Sequence, residues 1–333
     1  MIEARAYARV GLLGNPSDGY GGRVLAFTIE DFAATVALTA ADGIALTSPG
    51  AAPLVADSWR ALTTDIDPRA LDGAQALIVA AARQLAAHLR AYGRADERAV
   101  GFSLSWRSTI PRESGLSGSS AIVIASLRAF ACALGAHVPA EVMAVLALAA
   151  ERDELGIAAG PQDRVIQAHE GFLDMDFSGP PGQVRTTRLD PGLLPPLYLA
   201  WTSQPGERSG IAHDDIRARW EAGDPAVQRA MARFPRIAAA GRACLERGDV
   251  VGLGACVDEN FDTRAAIWPL RASDRQLVKT GRAAGAAVKF CGSGGSVVGV
   301  LRPDTELAAV EAAHRAAGHR VLVPRIRAGH DGP

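Results

Sequence analysis

The sequence predicts an α+β protein made of two parts. Its 333 residues are enough for two domains, each with its own hydrophobic core. Patterns typical of strands and of helices occur in both parts without strict alternation, which favours an α+β arrangement. Between the two parts, the stretch 178–196 is rich in proline and glycine, a composition typical of a connection. We therefore predict a first domain over 1–190 and a second over 191–333.

The elements of the first part follow from hydrophobic periodicity and from the positions of glycine and proline. Short apolar or alternating runs predict strands, and apolar residues at helical spacing predict helices. The first long helix ends before Gly93, a residue well suited to a helix C-cap. The predicted strands are 4–13, 23–29, 34–38 and 100–107. The predicted helices are 71–92, 121–134 and 139–154, with a short helix that starts near Pro161.

The second part shows the same mixture of patterns. It begins with an apolar run directly after the proline-rich stretch, continues with several helical stretches up to residue 284, and ends with short apolar runs around one more helix. The predicted strands are 197–202, 287–290, 297–301 and 320–325, and the last predicted helix is 305–317.

Composition argues against several classes of function. The chain has 35 basic and 36 acidic residues and a net charge of −1, so an extended surface for nucleic acid or anionic membrane is not supported. The N-terminus lacks the pattern of a secretory signal, and no apolar run approaches the ~20 residues of a membrane helix. The four cysteines have no C-x-x-C spacing and the seven histidines no H-x-x-x-H pair, so neither a disulfide framework nor a zinc site is expected. We expect a cytoplasmic protein with no membrane or nucleic-acid partner.

The segment Pro111–Ala121 carries the strongest functional signal. It reads Pro-Arg-Glu-Ser-Gly-Leu-Ser-Gly-Ser-Ser-Ala and places four small residues, 117–120, directly before an apolar helix. The first backbone N–H groups of a helix lack internal acceptors and attract anions, so the pattern indicates a polyphosphate site. The segment is not a Walker A loop, because it contains no lysine. Taken alone, it is equally consistent with a small-residue N-cap on a buried helix.

Two further segments accompany this loop. One is Arg9–Gly22, with the sequence Arg-Val-Gly-Leu-Leu-Gly-Asn-Pro-Ser-Asp-Gly-Tyr-Gly-Gly, and the other is Lys289–Gly295, with Lys-Phe-Cys-Gly-Ser-Gly-Gly. In order and separation the three segments resemble the three motifs of the GHMP kinases, which include galactokinase, homoserine kinase, mevalonate kinase and phosphomevalonate kinase. The loop fits the variant of the second motif that has one added glycine. The resemblance covers the length of the chain.

Finer details resemble the members of this family that phosphorylate the sugar acid D-glucuronate. They are Gly-Leu-Leu-Gly-Asn-Pro-Ser-Asp at 11–18, the loop itself, Gly160–Arg164 and Met175–Ser178. Asn-Pro-Ser stands where galactokinases have Glu-His-Thr, which argues against a galactokinase. The resemblance implies ATP-dependent phosphorylation of the anomeric hydroxyl of D-glucuronate, giving glucuronate 1-phosphate. The alternatives are a GHMP kinase for galacturonate, a neutral sugar or a sugar phosphate, and a catalytically silent nucleotide-binding member of the family.

The resemblance also implies a fold and a set of ligands. The N-terminal domain should be a ribosomal-protein-like α/β domain with a left-handed β-α-β crossover, and the C-terminal domain a ferredoxin-like α+β domain. ATP and Mg²⁺ are the implied cofactors, and the protein is expected to be a monomer or a homodimer. Trp59 could stack on the nucleotide base or belong to the core. The residues expected to bind ATP are Pro111, Gly115, Leu116, Ser117, Gly118, Ser119, Ser120 and Ala121.

Phosphoryl transfer needs a divalent metal and a group that accepts the proton of the attacking hydroxyl. The resemblance implies Ser120 and Glu151 as metal ligands, and these two are enough because Mg²⁺ keeps waters and phosphate oxygens. It implies Asp163 as the catalytic base and Arg9 as a catalytic cation that holds Asp163 ionised and offsets charge on the transferred group. Each residue also has a simpler interpretation: Glu151 as a solvated helix charge, Asp163 as a helix N-cap, and Arg9 as an exposed strand arginine.

The sugar is expected to contact the first and third motifs. Asp18 would accept hydrogen bonds from sugar hydroxyls or, alternatively, form a turn with its own backbone. A sugar acid carries a carboxylate that should meet a cation, and the sequence does not rank the candidates Arg23, Arg112, Arg164 and Lys289. The glycines of the third motif should let the backbone pass close to the phosphate loop. The residues expected at the substrate site are Asp18, Tyr20, Arg23, Arg164, Gly292, Ser293 and Gly294.

Overall fold

The structure is a computed structural model that describes residues 1–47, 52–93, 101–180, 182–202 and 210–329. The strands are β1 (Ile2–Leu13), β2 (Arg23–Ala40), β3 (Ile44–Thr47), β4 (Leu54–Ala56), β5 (Phe102–Ser108), β6 (Phe172–Asp176), β7 (Arg185–Leu189), β8 (Leu197–Thr202), β9 (Ala287–Phe290), β10 (Ser296–Val300) and β11 (His319–Leu322). The helices are α1 (Trp59–Thr64), α2 (Gly73–Ala91), α3 (Gly118–Ala133), α4 (Ala140–Ala149), α5 (Gln162–His169), α6 (Gly210–Glu221), α7 (Pro225–Arg247), α8 (Val250–Ala265), α9 (Ala272–Ala283) and α10 (Leu307–Ala316).

The chain forms two compact units, each assembled from separate stretches of sequence. Unit 1 consists of Met1–Ala8, Phe32–Ile110 and Gly118–His169. Unit 2 consists of Arg9–Asp31, Pro111–Ser117 and Glu170–Pro333. The first part of the chain therefore contributes to both units. The expected domain boundary near residue 190 stays a prediction.

Unit 1 contains a β-α-β crossover. Strand β3 pairs parallel with β5 and antiparallel with β4, and the chain returns from β4 to β5 through α1 and α2. A parallel pair needs such a long connection, whereas antiparallel neighbours do not. Strand β5 also pairs antiparallel with residues 34–40 of β2. Alternate residues of these strands, such as Val36, Leu38, Phe102 and Leu104, are buried, as the alternating pattern predicts.

The core of unit 1 is packed by α2 and α3 and by a group of aromatic rings. Asp72 is the N-cap residue of α2, and the helix ends at Ala91, close to the predicted limit. The Trp59 ring lies 5.0 Å from the Phe130 ring and 6.4 Å from the Phe102 ring, centroid to centroid. Trp59 is 2% exposed. Of its two interpretations, the core position is the correct one, and stacking on a nucleotide base is excluded.

Unit 2 contains a four-stranded antiparallel sheet in the order β11-β8-β10-β9. Along the chain its elements read strand β8, helices α6 to α9, strands β9 and β10, helix α10 and strand β11. This is the β-α-β-β-α-β arrangement of a ferredoxin-like fold, with additional helices in the first connection. The ferredoxin-like prediction is confirmed, and so are the predicted strands at 197–202, 287–290 and 297–301 within one residue.

Strand β2 is longer than predicted. The sequence indicated two strands, 23–29 and 34–38, because Glu30 and Asp31 interrupt the apolar alternation, but the structure has one continuous strand. Within unit 2, residues 23–27 pair with β6, and β6 pairs with β7. The C-terminal segment continues the pairing, since Glu30 N–H donates to the Arg325 carbonyl at 2.9 Å and Arg327 N–H to the Thr28 carbonyl at 3.0 Å. A distant part of the chain thus extends the strand through its polar residues.

The structure also contains four short strands that the sequence pattern does not predict: β3, β4, β6 and β7. Strand β7 carries mostly exposed polar residues and lies inside the stretch interpreted as a connection. Its pairing with β6, rather than its own pattern, makes it a strand. Within the described part of the chain, none of the helices has the length and apolar character required to span a membrane.

Candidate active site

The predicted phosphate loop leads directly into helix α3. The helix begins at Gly118, three residues before the predicted start at 121, so Ser119 and Ser120 lie in its first turn. Gly115 and Ser117 precede it with φ angles of +67° and +63°, in the left-handed region. The Ser120 side chain is buried. The N–H groups of this first turn have no acceptor within the helix, which is the feature that favours an anion.

Glu151 lies in a π-helical turn, Ala150–Glu154, that continues helix α4. The sequence predicted one regular helix over 139–154, and the wider turn replaces its last residues. Glu151 is fully buried, so its interpretation as a solvated helix charge is wrong. Its Oε2 accepts hydrogen bonds from Nε of Arg164 at 2.6 Å and from Nη2 of the same guanidinium. Its Oε1 is buried and has no hydrogen-bond partner among the described residues.

Four side chains around the π turn hold it to the rest of unit 1. Arg69 donates from Nε to the Glu154 carbonyl at 2.7 Å and from Nη2 to the Asp153 carbonyl at 3.0 Å. The two carboxylate oxygens of Glu154 accept from Arg83 Nε and Gln84 Nε2, each at 2.8 Å. Because both helix carbonyls and a side chain are bound, the turn that carries Glu151 is anchored at its C-terminal end. No motif in the sequence indicates these four residues.

Asp163 is the second residue of helix α5. This position lies inside the helix, so the N-cap interpretation is not correct for this residue. The Asp163 side chain is 18% exposed, and its Oδ2 lies 4.0 Å from Nη1 of Arg164. Arg164, a predicted substrate residue, is almost fully buried and also donates from Nη1 to the Gly160 carbonyl at 2.8 Å. In unit 1, one guanidinium therefore lies next to the predicted metal ligand Glu151 and the predicted base Asp163.

The first motif forms a short 3₁₀ turn, Ser17–Tyr20, in unit 2. Asp18 is 7% exposed. The Tyr20 ring lies edge-on to the Trp220 ring, with centroids 5.3 Å apart. The Arg217 guanidinium lies over the Tyr20 ring, 4.7 Å from its centroid, and donates from Nη2 to the Gly19 carbonyl at 3.1 Å. Trp220 and Arg217 come from α6, and no motif in the sequence indicated them.

The glycine loop of the third motif packs against the residues before α3. A Cβ atom added to Gly292 would lie 2.2 Å from the Gly115 carbonyl oxygen, and one added to Gly115 would lie 2.4 Å from the Gly294 carbonyl oxygen. Arg9, which is 4% exposed, donates from Nη1 to the carbonyls of Gly115 at 2.6 Å and Cys291 at 3.0 Å. The predicted close approach of the two loops is confirmed. The interpretation of Arg9 as an exposed strand arginine is wrong.

A second buried arginine holds the same glycine loop. Arg264 of α8 donates from Nη1 to the Gly292 carbonyl at 2.8 Å and from Nη2 to the Ser293 carbonyl at 3.2 Å. Its guanidinium lies 4.4 Å from the centroid of the Trp268 ring, and burial lowers its pKa to about 10. The carbonyls of three consecutive residues, 291–293, are thus bound by guanidinium groups. In the sequence Arg264 is one of many helix arginines, and only its spacing of four from Trp268 is a signal.

The four cations predicted as partners of the sugar carboxylate differ in burial and in the hydrogen bonds that they already make. Lys289 is 1% exposed, and its three protons go to the Gly11 carbonyl, the Phe290 carbonyl and Asn15 Oδ1 at 2.6, 2.6 and 2.8 Å. Burial lowers the pKa of this ammonium to about 7. Arg23 donates from Nε to Asp174 at 2.7 Å, and Arg164 is bound to Glu151. Arg112 is exposed.

Comparison with known proteins agrees with this arrangement. The sequence-family model described as the GHMP kinases N-terminal domain matches residues 76–171. "Probable glucuronokinase 2" of Arabidopsis thaliana is 38% identical over 312 residues, which is 90% of this chain and 84% of that protein. The chain therefore belongs to the GHMP kinase family and is a phosphotransferase that acts on a sugar hydroxyl. "Glucuronokinase 1" of the same plant is 36% identical over 313 residues, 89% of this chain and 84% of that protein.

Solved structures support the fold. A crystal structure of mevalonate kinase superposes with a TM-score of 0.77 at 16% sequence identity, and the match covers 98% of this chain and 100% of that one. At this identity the comparison establishes the two-domain GHMP kinase fold, which the sequence predicted.

Proposed function

We propose that this chain is a glucuronokinase: it transfers the γ-phosphate of ATP to the anomeric hydroxyl of D-glucuronate and releases glucuronate 1-phosphate and ADP. The observation that carries the proposal is the similarity to two glucuronokinases over nine-tenths of the chain. The buried carboxylates and cations of the candidate site supply a chemically consistent set of groups for phosphoryl transfer.

The residues fit a divalent metal. Among the described residues no group of three or more histidine, cysteine, aspartate and glutamate side chains could hold one, but Mg²⁺ in kinases needs few protein ligands. Glu151 offers a buried oxygen, Oε1, without a hydrogen-bond partner in the described structure. Ser120 offers a buried hydroxyl. We propose that these two side chains hold Mg²⁺, which supplies positive charge to the phosphate oxygens when it is bound.

The phosphate loop is the proposed site of the triphosphate. Its residues from Gly115 to Ser120 present backbone N–H groups at the start of α3, where the helix dipole favours negative charge. Pro111, Leu116 and Ala121 shape the loop and the helix start. Leu116 and Ala121 are buried, so their contribution is to hold the backbone rather than to touch phosphate.

Asp163 is the proposed base. As the anomeric oxygen forms its bond to the γ-phosphorus and the bond to the β,γ-bridging oxygen breaks, the hydroxyl proton moves to the Asp163 carboxylate. Arg164 lies beside that carboxylate, and a neighbouring cation favours the ionised form that can accept a proton. Arg9 is proposed to stabilise the charge that develops on the transferred group.

The proposal is tested by a coupled assay for ADP with purified protein, ATP and Mg²⁺. D-Glucuronate should give the largest kcat/KM in a panel that contains galacturonate, glucose, galactose, a heptose 7-phosphate and mevalonate. Phosphorus NMR of the product should show a phosphate at the anomeric carbon. Equal activity with neutral sugars would contradict the sugar-acid assignment, and no sugar-dependent ADP with any member of the panel would indicate a catalytically silent protein. The expected assembly, a monomer or a homodimer, is measured separately by light scattering.

A further inference from the structure

The carboxylate of a sugar acid needs a cation, and the described structure offers one that no sequence motif indicates. We propose that Arg217 of α6 binds the substrate carboxylate and thereby sets the preference for a uronic acid over a neutral sugar. The inference rests on the proposed function, because it assigns a group of the proposed substrate.

Arg217 lies on the segment that is predicted to bind the sugar. Its Nη2 donates to the Gly19 carbonyl at 3.1 Å, and its guanidinium covers the Tyr20 ring at 4.7 Å from the centroid. Gly19 separates Asp18 from Tyr20, the two residues of the first motif expected at the substrate. The structure thus fixes a cation on the two residues that directly follow Asp18.

The guanidinium is held in place but retains donors. The bond to Gly19 and the stacking on Tyr20 fix its plane, and they use only one N–H group. Arg217 is exposed, and none of the carboxylates whose side chains the structure describes forms an ion pair with it. Nε and Nη1 remain for the two oxygens of a carboxylate, the planar bidentate geometry that arginine provides and lysine does not.

Of the four cations first considered for the carboxylate, all except the exposed Arg112 are already bound to protein oxygens. Lys289 donates hydrogen bonds to three acceptors, and Arg164 donates to Glu151 and to a backbone carbonyl. Arg23 and Arg242 both donate to the single carboxylate of Asp174, and Arg242 also pairs with Glu246. Lys289 could bind a substrate carboxylate only by giving up one of its hydrogen bonds, which is costly for a charged group. Arg217 can bind a carboxylate without losing one.

The charges around Tyr20 explain why a cation is needed there. Burial raises the pKa of the Tyr20 hydroxyl, Arg217 opposes this rise, and Asp18 and Glu221 add to it. Asp18 and Glu221 therefore place negative charge near the Tyr20 hydroxyl. Without Arg217, they would repel a substrate that carries its own negative charge. Arg217 offsets this repulsion, and for that reason we expect it to favour a sugar acid.

A purely structural role is the competing explanation, because the same contacts attach α6 to the 3₁₀ turn of the first motif. The test compares Arg217→Met and Arg217→Lys with wild type and with the matched control Arg229→Met. Arg229 is an exposed arginine of α7 for which no ion pair is found within the described structure. Steady-state kinetics with D-glucuronate and with glucose, calorimetric binding of both sugars, and melting temperatures are measured for all four proteins.

We expect Arg217→Met to raise KM and the calorimetric Kd for D-glucuronate by about ten- to hundredfold, because a charged hydrogen-bonding partner is lost. Its kcat should change less than threefold, its kcat/KM for glucose should not fall, and its melting temperature should match that of Arg229→Met. Arg217→Lys should recover part of the affinity. An unchanged KM and Kd for D-glucuronate in Arg217→Met would overturn the inference while leaving the proposed function intact. A loss of affinity equal for both sugars would show the structural role and also overturn it.

Failure of the proposed function has a different signature. A wild-type protein that neither binds nor phosphorylates D-glucuronate contradicts both the function and the assignment of Arg217. Activity with D-glucuronate in wild type, together with unaltered variants, contradicts only Arg217.

Discussion

Nε of Arg164 donates to Oε2 of Glu151 at 2.6 Å, and both side chains are almost completely buried. The pair joins helix α5 to the π turn after α4 and leaves Oε1 of Glu151 available for a metal. Nη1 of the same arginine lies 4.0 Å from Oδ2 of Asp163. This contact links the proposed metal ligand and the proposed base within one unit.

Removal of the arginine should destabilise the protein. Arg164→Met leaves a buried carboxylate unpaired, and breaking a buried pair costs about 3–5 kcal/mol. The double variant Glu151→Met, Arg164→Met should recover much of this loss, because neither charge is then left alone. Urea unfolding measures the free energy of unfolding. Arg185→Met, which removes an exposed pair with Asp176, is the control and should cost less than about 1 kcal/mol; equal losses in both single variants would contradict the importance of burial.

Asp163 should be required for turnover but not for nucleotide binding. Asp163→Asn keeps the size of the side chain and removes the base, so kcat should fall by about a hundredfold or more. Binding of a fluorescent ATP analogue should be unchanged. Asp153→Asn, an exposed carboxylate of the π turn, serves as the control and should keep near-normal turnover. A kcat near that of wild type in Asp163→Asn would remove this residue from the base role.

The anchor of the π turn should influence the metal site. Glu154→Ala removes the acceptor of Arg83 and Gln84, so the turn that carries Glu151 loses part of its support. We expect the Mg²⁺ concentration for half-maximal activity to rise several-fold, and calorimetric binding of Mn²⁺ with an ATP analogue to weaken in parallel. Glu154→Gln should have a smaller effect. Glu141→Ala, at an exposed position in the first turn of α4, is the control. If Glu154→Ala and Glu141→Ala required the same Mg²⁺ concentration, Glu154 would have no role in positioning the metal site.

The contact between the phosphate loop and the glycine loop of the third motif should not tolerate an added methyl group. In Gly292→Ala the new Cβ would lie 2.2 Å from the Gly115 carbonyl oxygen and 2.7 Å from Nη1 of Arg9. Both loops must move, so we expect a loss of about 1–3 kcal/mol in the free energy of unfolding and weaker ATP binding. Gly43→Ala, where the nearest atom would be 3.7 Å away, is the matched control. Normal ATP affinity in Gly292→Ala would show that the loops adapt.

The stability of unit 2 should depend on pH through His314. This side chain is buried, with Nε2 at 3.1 Å from the Tyr198 hydroxyl and Nδ1 at 3.0 Å from Nδ1 of His319. Burial, and then His319, lowers the pKa of His314 to about 4. The unfolded chain, with a histidine pKa near ~6.5, binds the proton more readily, so the free energy of unfolding falls as the pH drops from about 6.5 towards 4.

The expected slope from this residue is up to about 1.4 kcal/mol per pH unit in that window. Denaturation at several pH values measures it, and His314→Gln should flatten the dependence. His88→Gln is the comparison, because His88 lies in the last turn of α2, outside the Tyr198–His314–His319 group, and it should leave the slope unchanged. A slope unaltered in His314→Gln would assign the pH dependence to other groups.

Much of the fold could be predicted because it depends on local patterns. Helix α2, strand β8 and the strand pair β9 and β10 have periodic apolar residues bounded by glycine or proline, and each was placed within one or two residues. The strands β3, β4, β6 and β7 could not be predicted, since short segments become strands through their neighbours in the sheet. For the same reason β2 continues through Glu30 and Asp31, where the C-terminal segment supplies hydrogen-bond partners.

The sequence by itself determined the kind of chemistry. A loop of small residues before an apolar helix, and two other motifs in the right order, are local features of the chain, so they specify the GHMP kinase family and predict a phosphate site without tertiary information. Tertiary structure alone decided which charged residues are buried and hydrogen-bonded to other protein groups and which are exposed. Burial and hydrogen bonding depend on residues that are distant in sequence. They bind Arg164 to Glu151, Lys289 to three oxygens and Arg264 to the glycine loop, whereas Arg217 is exposed and bonds to the Gly19 carbonyl.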